Sequence, residues 1–249
     1  NGIGTIFRER SWKLSGILNG IDADMYNPET DPDIFDNFNI SSLDKKVENN
    51  KKLQERLYLE VDENIPLVGM VTRLVSHKGL DLVKEGIDNV MQYSNAQVVI
   101  LGSGDAEYED YFKWIQEKYP GRFVLCQGFV PELSRKIYAG ADIFLMPSKY
   151  EPCGLSQMIA LRYGTIPVVR ETGGLKDTIE DSGDNKGNGF TFLTYNTGDM
   201  LHSLHRAIAS FNNEKAGWKV LVERAMKCDN SWNKSAGEYI DLYKKALES

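Results

Sequence analysis

LVGMVTRLVSHKGLDL, residues 67–82, decides how the chain folds. The run Leu67-Val68-Gly69-Met70-Val71 reads as a buried strand. From Leu80 onward, Leu80, Val83, Ile87 and Val90 recur at spacings of three and four, the period of a helix with one apolar face. Between the two lies a turn that carries Arg73 and Lys78 and ends in Gly79. Strand, turn and helix in this order make half of a βαβ unit, whose strands pair in parallel through helical crossovers.

The same alternation continues outward. Apolar runs at 67–72, 97–101, 122–126, 142–146, 166–169 and 189–193 read as strands, and Tyr108, Phe112, Ile115 and Tyr119 mark a second amphipathic helix between two of them. After residue 196 the strands stop and three helical patterns follow, at 200–211, 218–226 and 235–247. Their aromatic residues Phe211, Trp218, Tyr239 and Tyr243 are expected to pack in the core. The expected fold is therefore α/β, a Rossmann-like doubly wound parallel sheet with flanking helices and extra helices at the C-terminal end.

Residues 22–56 differ in being polar, rich in Asp and Asn, and broken by Asn27-Pro28 and Asp31-Pro32 turn signals. They read as a surface connection that includes a helix at 44–58, with Lys45, Lys46, Lys51 and Lys52 on a solvated face. The expected division is an approach segment at 1–22, a surface connection at 23–64, a Rossmann-like domain at 65–230 and a last helix at 231–249.

Composition limits the partners. With 249 residues, 41% hydrophobic and 26% charged, the chain is long enough for a substantial core. A formal net charge of −7 argues against nucleic acid and anionic membrane, so an anionic ligand must be held by a few local cations. Cys126, Cys153 and Cys228 are far apart with no CxxC pair, which fits a reducing compartment and a cytoplasmic protein better than a disulfide framework or a zinc site. No stretch is long and apolar enough to span a membrane. The first residue is Asn1, which raises the expectation of a piece of a longer protein.

Ligands of open parallel sheets bind outside the carboxyl ends of the strands. Arg73 offers a planar fork for two phosphate oxygens, Lys78 a compact point charge, and Gly79 lets backbone come close. This suits a diphosphate, and a solvated surface turn is an equal alternative on this motif alone. A second turn, PSKYEPCGLSQMIALRYG at 147–164, places Glu151 just ahead of Gly154, Leu155 and Ser156, whose amides make an anion site at the start of a helix with Met158, Ile159 and Tyr163 facing inward. A carboxylate beside amide donors suits a sugar joined to a phosphate, with simple helix capping as the rival. A third turn, ETGGLKDT at 171–178, puts Thr172, Gly173 and Gly174 where backbone passes close to a ligand or another turn. Gly128-Phe129 exposes an aromatic ring at the same edge, while LGSGD at 101–105 reads as an ordinary turn.

ILNGID (17–22), NPETDP (27–32), TRLVSHKGLDL (72–82), YAGADIFLMPSKYEPCGLSQMIALRYGTIPVVRETGGLKDT (138–178) and NGFTF (188–192) together resemble the bacterial glycogen synthases and plant starch synthases. The resemblance covers the C-terminal half of a two-domain glycosyltransferase-B fold. It implies transfer of glucose from ADP-glucose to the non-reducing end of an α-1,4-glucan, with retention at the anomeric carbon, no cofactor and no catalytic metal. It implies that Arg73 and Lys78 grip the diphosphate, that Glu151 holds glucose hydroxyls, that Gly154, Leu155 and Ser156 bind the distal phosphate, and that Phe129 stacks on adenine. Cys153, Thr172, Gly173 and Gly174 complete the implied nucleotide-sugar wall. Ile159 stands where related retaining transferases carry a second glutamate. ILNGID marks the crossing between domains, and the segment from Ser235 resembles the helix that packs back on the N-terminal domain, which is not in this sequence. Alone, the chain is expected to bind nucleotide weakly and to be inert. His77 matches no role, and His202 and His205 read as solvated or capped. The alternatives are a related retaining transferase with another sugar nucleotide, a non-catalytic module binding ADP or glucan, and an epimerase of the same fold.

Overall fold

The computed structural model describes residues 3–248; Asn1, Gly2 and Ser249, at the outer ends of the expected segments 1–22 and 231–249, lie outside the described residues. In chain order the elements are α1 (Ile3–Glu9), α2 (Asp44–Arg56), β1 (Leu67–Val71), α3 (Leu80–Tyr93), β2 (Gln97–Gly102), α4 (Ala106–Lys118), β3 (Phe123–Gln127), α5 (Pro131–Gly140), β4 (Ile143–Met146), α6 (Ser156–Arg162), β5 (Ile166–Arg170), α7 (Gly173–Thr178), β6 (Phe190–Phe192), α8 (Thr197–Asn213), α9 (Lys215–Met226) and α10 (Trp232–Leu247). The strands form one sheet in the order β3-β2-β1-β4-β5-β6, every pair parallel, as expected from the apolar runs. Between β1 and β4 the winding reverses, and that is where a crevice opens at the carboxyl ends of the strands.

Alternation along the strands assigns the two faces. Leu67, Val99 and Leu101 face Leu53 of α2 and Leu133 and Ile137 of α5, while Val68, Met70, Val98 and Ile100 join the larger core with Val83 and Ile87 of α3 and Leu204 and Ala207 of α8. Strands buried on both sides are near-continuously apolar, which is why the sequence displays them so openly.

Three expectations are corrected. The segment 22–56 is not merely a surface connection, because Ile34, Phe38 and Leu53 are buried in the core. Asp31 is buried with Arg135 of α5, Nη1 to Oδ2 3.0 Å, and accepts a short hydrogen bond from the Tyr163 hydroxyl. Lys46 does not lie on a solvated face: it is 7% exposed, and its ammonium donates to Ala139 O (2.9 Å), Ala141 O (3.0 Å) and Thr165 Oγ1 (2.9 Å). Those carbonyls close the C-terminal end of α5, where orphan acceptors attract a cation. Finally, Phe211 and Trp218 do pack edge to face in the core, but Tyr239 and Tyr243 stay exposed on α10, with Ile240 and Leu247 beside them. The helical period locates the stripe correctly, yet no described element covers it.

Candidate functional site

Each candidate side chain is set by a turn at the carboxyl end of the sheet. After β1 the chain stays in register with its neighbour through Thr72 N–H to Leu101 O (3.0 Å) and Leu74 N–H to Ser103 O (2.9 Å). It then tightens into a 3-10 turn, Ser76–Lys78, which Gly79 ends at φ +82° before α3 begins. Only glycine fits there, since a Cβ would lie 2.2 Å from Pro147 O in the turn after β4. Lys149 N–H donates to His77 O at 2.9 Å, so the two turns are joined across the winding reversal. The Tyr195 hydroxyl ties the 3-10 turn to α3, 3.2 Å from Ser76 O and 2.5 Å from Asp81 Oδ1, and burial together with the Asp81 contact pushes that phenol above its ordinary pKa.

This junction brings Lys78 and Glu151 together. Lys78 Nζ donates to Glu151 Oε2 at 2.7 Å, and the buried Ser148 hydroxyl donates to the same oxygen at 3.0 Å. Glu151 is only 8% exposed. Beside it, Thr72, Arg73, Lys78, Pro147, Ser148 and Ser156 line a cavity of about 220 Å³. Arg73 is exposed, with Nη2 3.3 Å from His77 Nε2.

The turn from Glu151 to Ser156 is fixed from beneath. Gly154 adopts φ +73°, and the amides of Gly154, Leu155 and Ser156 have no hydrogen-bond partner among the described residues. The third glycine turn is the opening of α7, with Thr172 in extended backbone just ahead of it. Its role is close approach to another turn: a Cβ on Gly173 would lie 2.1 Å from Glu151 O, and one on Gly174 2.0 Å from Cys153 O. LGSGD, read as an ordinary turn, is equally tight, with a Gly102 Cβ 1.8 Å from Thr72 O. Phe129 stands apart at the edge strand β3, 83% exposed, after Gly128 at φ +106°. Among the described residues no three His, Cys, Asp or Glu side chains converge as a metal site. Among the described residues no helix is long and apolar enough to cross a membrane.

Sequence reasoning missed Ser148 and Gln157. Ser148 carries no signal beyond standing three residues before Glu151. Gln157 does: it is a polar residue flanked by inward-facing Met158 and four before the buried Leu161, hence on a face that should be apolar.

Comparison with known proteins gives a consistent result. The chain is 50% identical to a glycogen synthase of Thermosipho melanesiensis over 244 residues, which is 97% of this chain and 50% of that protein. It is 51% identical to a glycogen synthase of Clostridium acetobutylicum over 244 residues, 97% of this chain and 51% of that protein. The catalytic domain of starch synthase IV from Arabidopsis thaliana, solved with ADP and acarbose, superposes with a TM-score of 0.91 at 38% identity over 100% of this chain and 52% of that one. The chain thus spans about half the length of the curated relatives it matches. The family described as glycosyl transferases group 1 matches residues 51–217, from α2 through every strand of the sheet to α9. On fold and on sequence, the chain belongs to the glycosyl transferases group 1 family.

Proposed function

We propose that this chain is the donor-nucleotide half of a retaining glucosyltransferase of the cytoplasm, moving glucose from ADP-glucose to the non-reducing end of an α-1,4-glucan. The observation that carries this reading is the meeting of Lys78 and Glu151 at the winding reversal of the sheet. It is supported by the half-length match to glycogen synthases and by the likeness to a starch synthase solved with ADP and acarbose.

In this reading Arg73 and Lys78 hold the diphosphate, the amides of Gly154, Leu155 and Ser156 take its distal phosphate, and Glu151 accepts from glucose hydroxyls. Phe129 stacks on adenine, while Cys153, Thr172, Gly173 and Gly174 form the wall behind. As the C1–O bond breaks, its electron pair leaves with the diphosphate and the sugar becomes oxocarbenium-like, so fixed cations aimed at the departing oxygens lower the barrier. Entry of the diphosphate draws Lys78 from Glu151 and frees the carboxylate for the sugar. Residues 1–22 serve as the crossing to an N-terminal domain that supplies the other wall of the cleft, 23–64 lead into the Rossmann-like domain at 65–230, and 231–249 pack back on that N-terminal domain. The exposed Trp232, Ile240, Tyr243 and Leu247 of α10 suit that last role.

Titration of the chain with ADP by calorimetry, with Lys78→Ala beside it, tests the reading. Binding that falls about tenfold or more in the variant supports it. Absence of binding by the wild-type chain, or equal binding by both, overturns it.

A further inference from the structure

We propose that Gln157 is a positioning residue that aims the phosphate-binding amides, an inference that rests on the nucleotide-sugar reading above. Gln157 is fully buried, and its side-chain Nε2 lies 3.2 Å from Cys153 O, 3.0 Å from Gly154 O and 3.1 Å from Thr178 Oγ1. The opposite orientation of the amide would set its oxygen against two carbonyl oxygens, so the network fixes which end is the donor.

Two consecutive carbonyls are therefore drawn inward by one donor group. In a trans peptide the C=O of one residue and the N–H of the next point in opposite directions. Holding Cys153 C=O inward turns Gly154 N–H outward, and holding Gly154 C=O inward turns Leu155 N–H outward. These two amides are without partners among the described residues. Gln157 thus fixes them without touching a ligand itself.

The clamp extends to Glu151. The Thr178 hydroxyl that accepts from Gln157 donates onward to Gly174 O at 2.6 Å, and Gly174 N–H donates to Glu151 O at 3.1 Å. One circuit of hydrogen bonds joins the amide donors to the backbone of the carboxylate.

Two features fit a positioning role better than packing. Gln157 Oε1 is buried without a partner among the described residues, a desolvation cost that a methionine of similar shape would avoid. A Cβ on Gly154 would lie 2.5 Å from that same oxygen, so the glycine makes room for the glutamine as well as for its own φ.

The experiment is a ¹H–¹⁵N titration of the whole chain and its Gln157→Met variant with ADP and, separately, with AMP, which lacks the distal phosphate. In the wild-type chain, ADP is expected to move the backbone amides of Gly154 and Leu155 and the side-chain amide of Gln157, while AMP leaves them in place. In Gln157→Met, ADP affinity is expected to fall about tenfold or more while AMP affinity stays within about threefold. Equal losses for both nucleotides would reduce Gln157 to a packing residue, and unchanged ADP affinity would overturn the proposal outright. Should the variant fail to fold, the wild-type spectra decide: ADP bound without movement of the three amides overturns it. A wild-type chain that binds neither nucleotide removes the nucleotide-sugar reading and this inference with it.

Discussion

Lys78 Nζ lies 2.7 Å from Glu151 Oε2, across the gap where the winding of the sheet reverses. Each ion neutralises the other at low exposure, so neither can be removed alone without leaving a poorly solvated charge. Lys78→Ala is expected to lower the stability of the chain by about 1–3 kcal/mol in urea unfolding, and adding Glu151→Gln is expected to restore most of the loss. In an enzyme carrying both halves, the single Lys78 variant is expected to lose about 10²–10³ in turnover, with no recovery in the double variant. Turnover within a few-fold of wild type would exclude Lys78 from the reaction.

Phe129 allows the reverse separation. At 83% exposure it contributes little to folding, so Phe129→Ala is expected to leave the urea midpoint nearly unchanged. Loss of a base-stacking ring costs about 1–3 kcal/mol, so ADP affinity is expected to fall by roughly 5- to 150-fold. Inorganic pyrophosphate, which has no base, should bind both chains alike in a competition titration.

The ammonium of Lys46 and the carboxyl of Asp142 make stability depend on pH in two windows. Burial pushes Lys46 down to about 8, with Asp142 pulling the other way. Burial pushes Asp142 up to about 6, opposed by the Leu67 N–H, by Lys46 and Lys215, and by Asn50. Between pH 8 and the ordinary lysine value of 10.5 the unfolded chain holds more protons at Lys46, so stability rises with pH there. Between the ordinary aspartate value of 3.8 and pH 6 the folded chain holds more protons at Asp142, so stability falls as pH rises. Urea midpoints across pH should show both slopes, with Lys46→Met flattening the upper one and Asp142→Asn the lower.

Asp31, Arg135 and Tyr163 anchor the N-terminal segment to the sheet domain. Asp31→Ala leaves Arg135 buried without its partner and is expected to cost about 3–5 kcal/mol. Tyr163→Phe removes the hydrogen bond to Asp31 and the longer one from Arg135 Nη1 (3.4 Å) and is expected to cost about 1–2 kcal/mol, both variants read by urea unfolding.

The sheet was legible because strands covered on both faces are apolar runs, and their parallel direction follows from crossovers of helical length. Lys78 and Glu151 stand in the sequence as charges in turns that follow such strands, and the fold brings the two together. Lys46 and Asp31 were not legible, for one shared reason: each meets acceptors or donors that tertiary folding brings to it, whereas Gln157, with two of its three acceptors in its own turn, shows in the sequence only as a polar residue on a face that should be apolar. Lys46 reaches carbonyls 93 and 95 residues away, and Asp31 pairs with a guanidinium 104 residues on. The period of a helix tells which residues share a face; it does not tell whether that face ends against an orphan carbonyl, as at Lys46, or against nothing described, as at Tyr243.

The backbone-to-backbone contacts of Gly79, Gly102, Gly173 and Gly174 leave this sheet edge with very little mutational slack. At each of them the smallest possible side chain would collide with a carbonyl oxygen of the neighbouring turn, so no gradual series of larger residues exists through which the edge could drift. Adaptation here is therefore channelled into the residues whose side chains project, Arg73, Phe129 and Leu155 among them, and a saturation-mutagenesis library should show four closed positions beside open ones in the same turns.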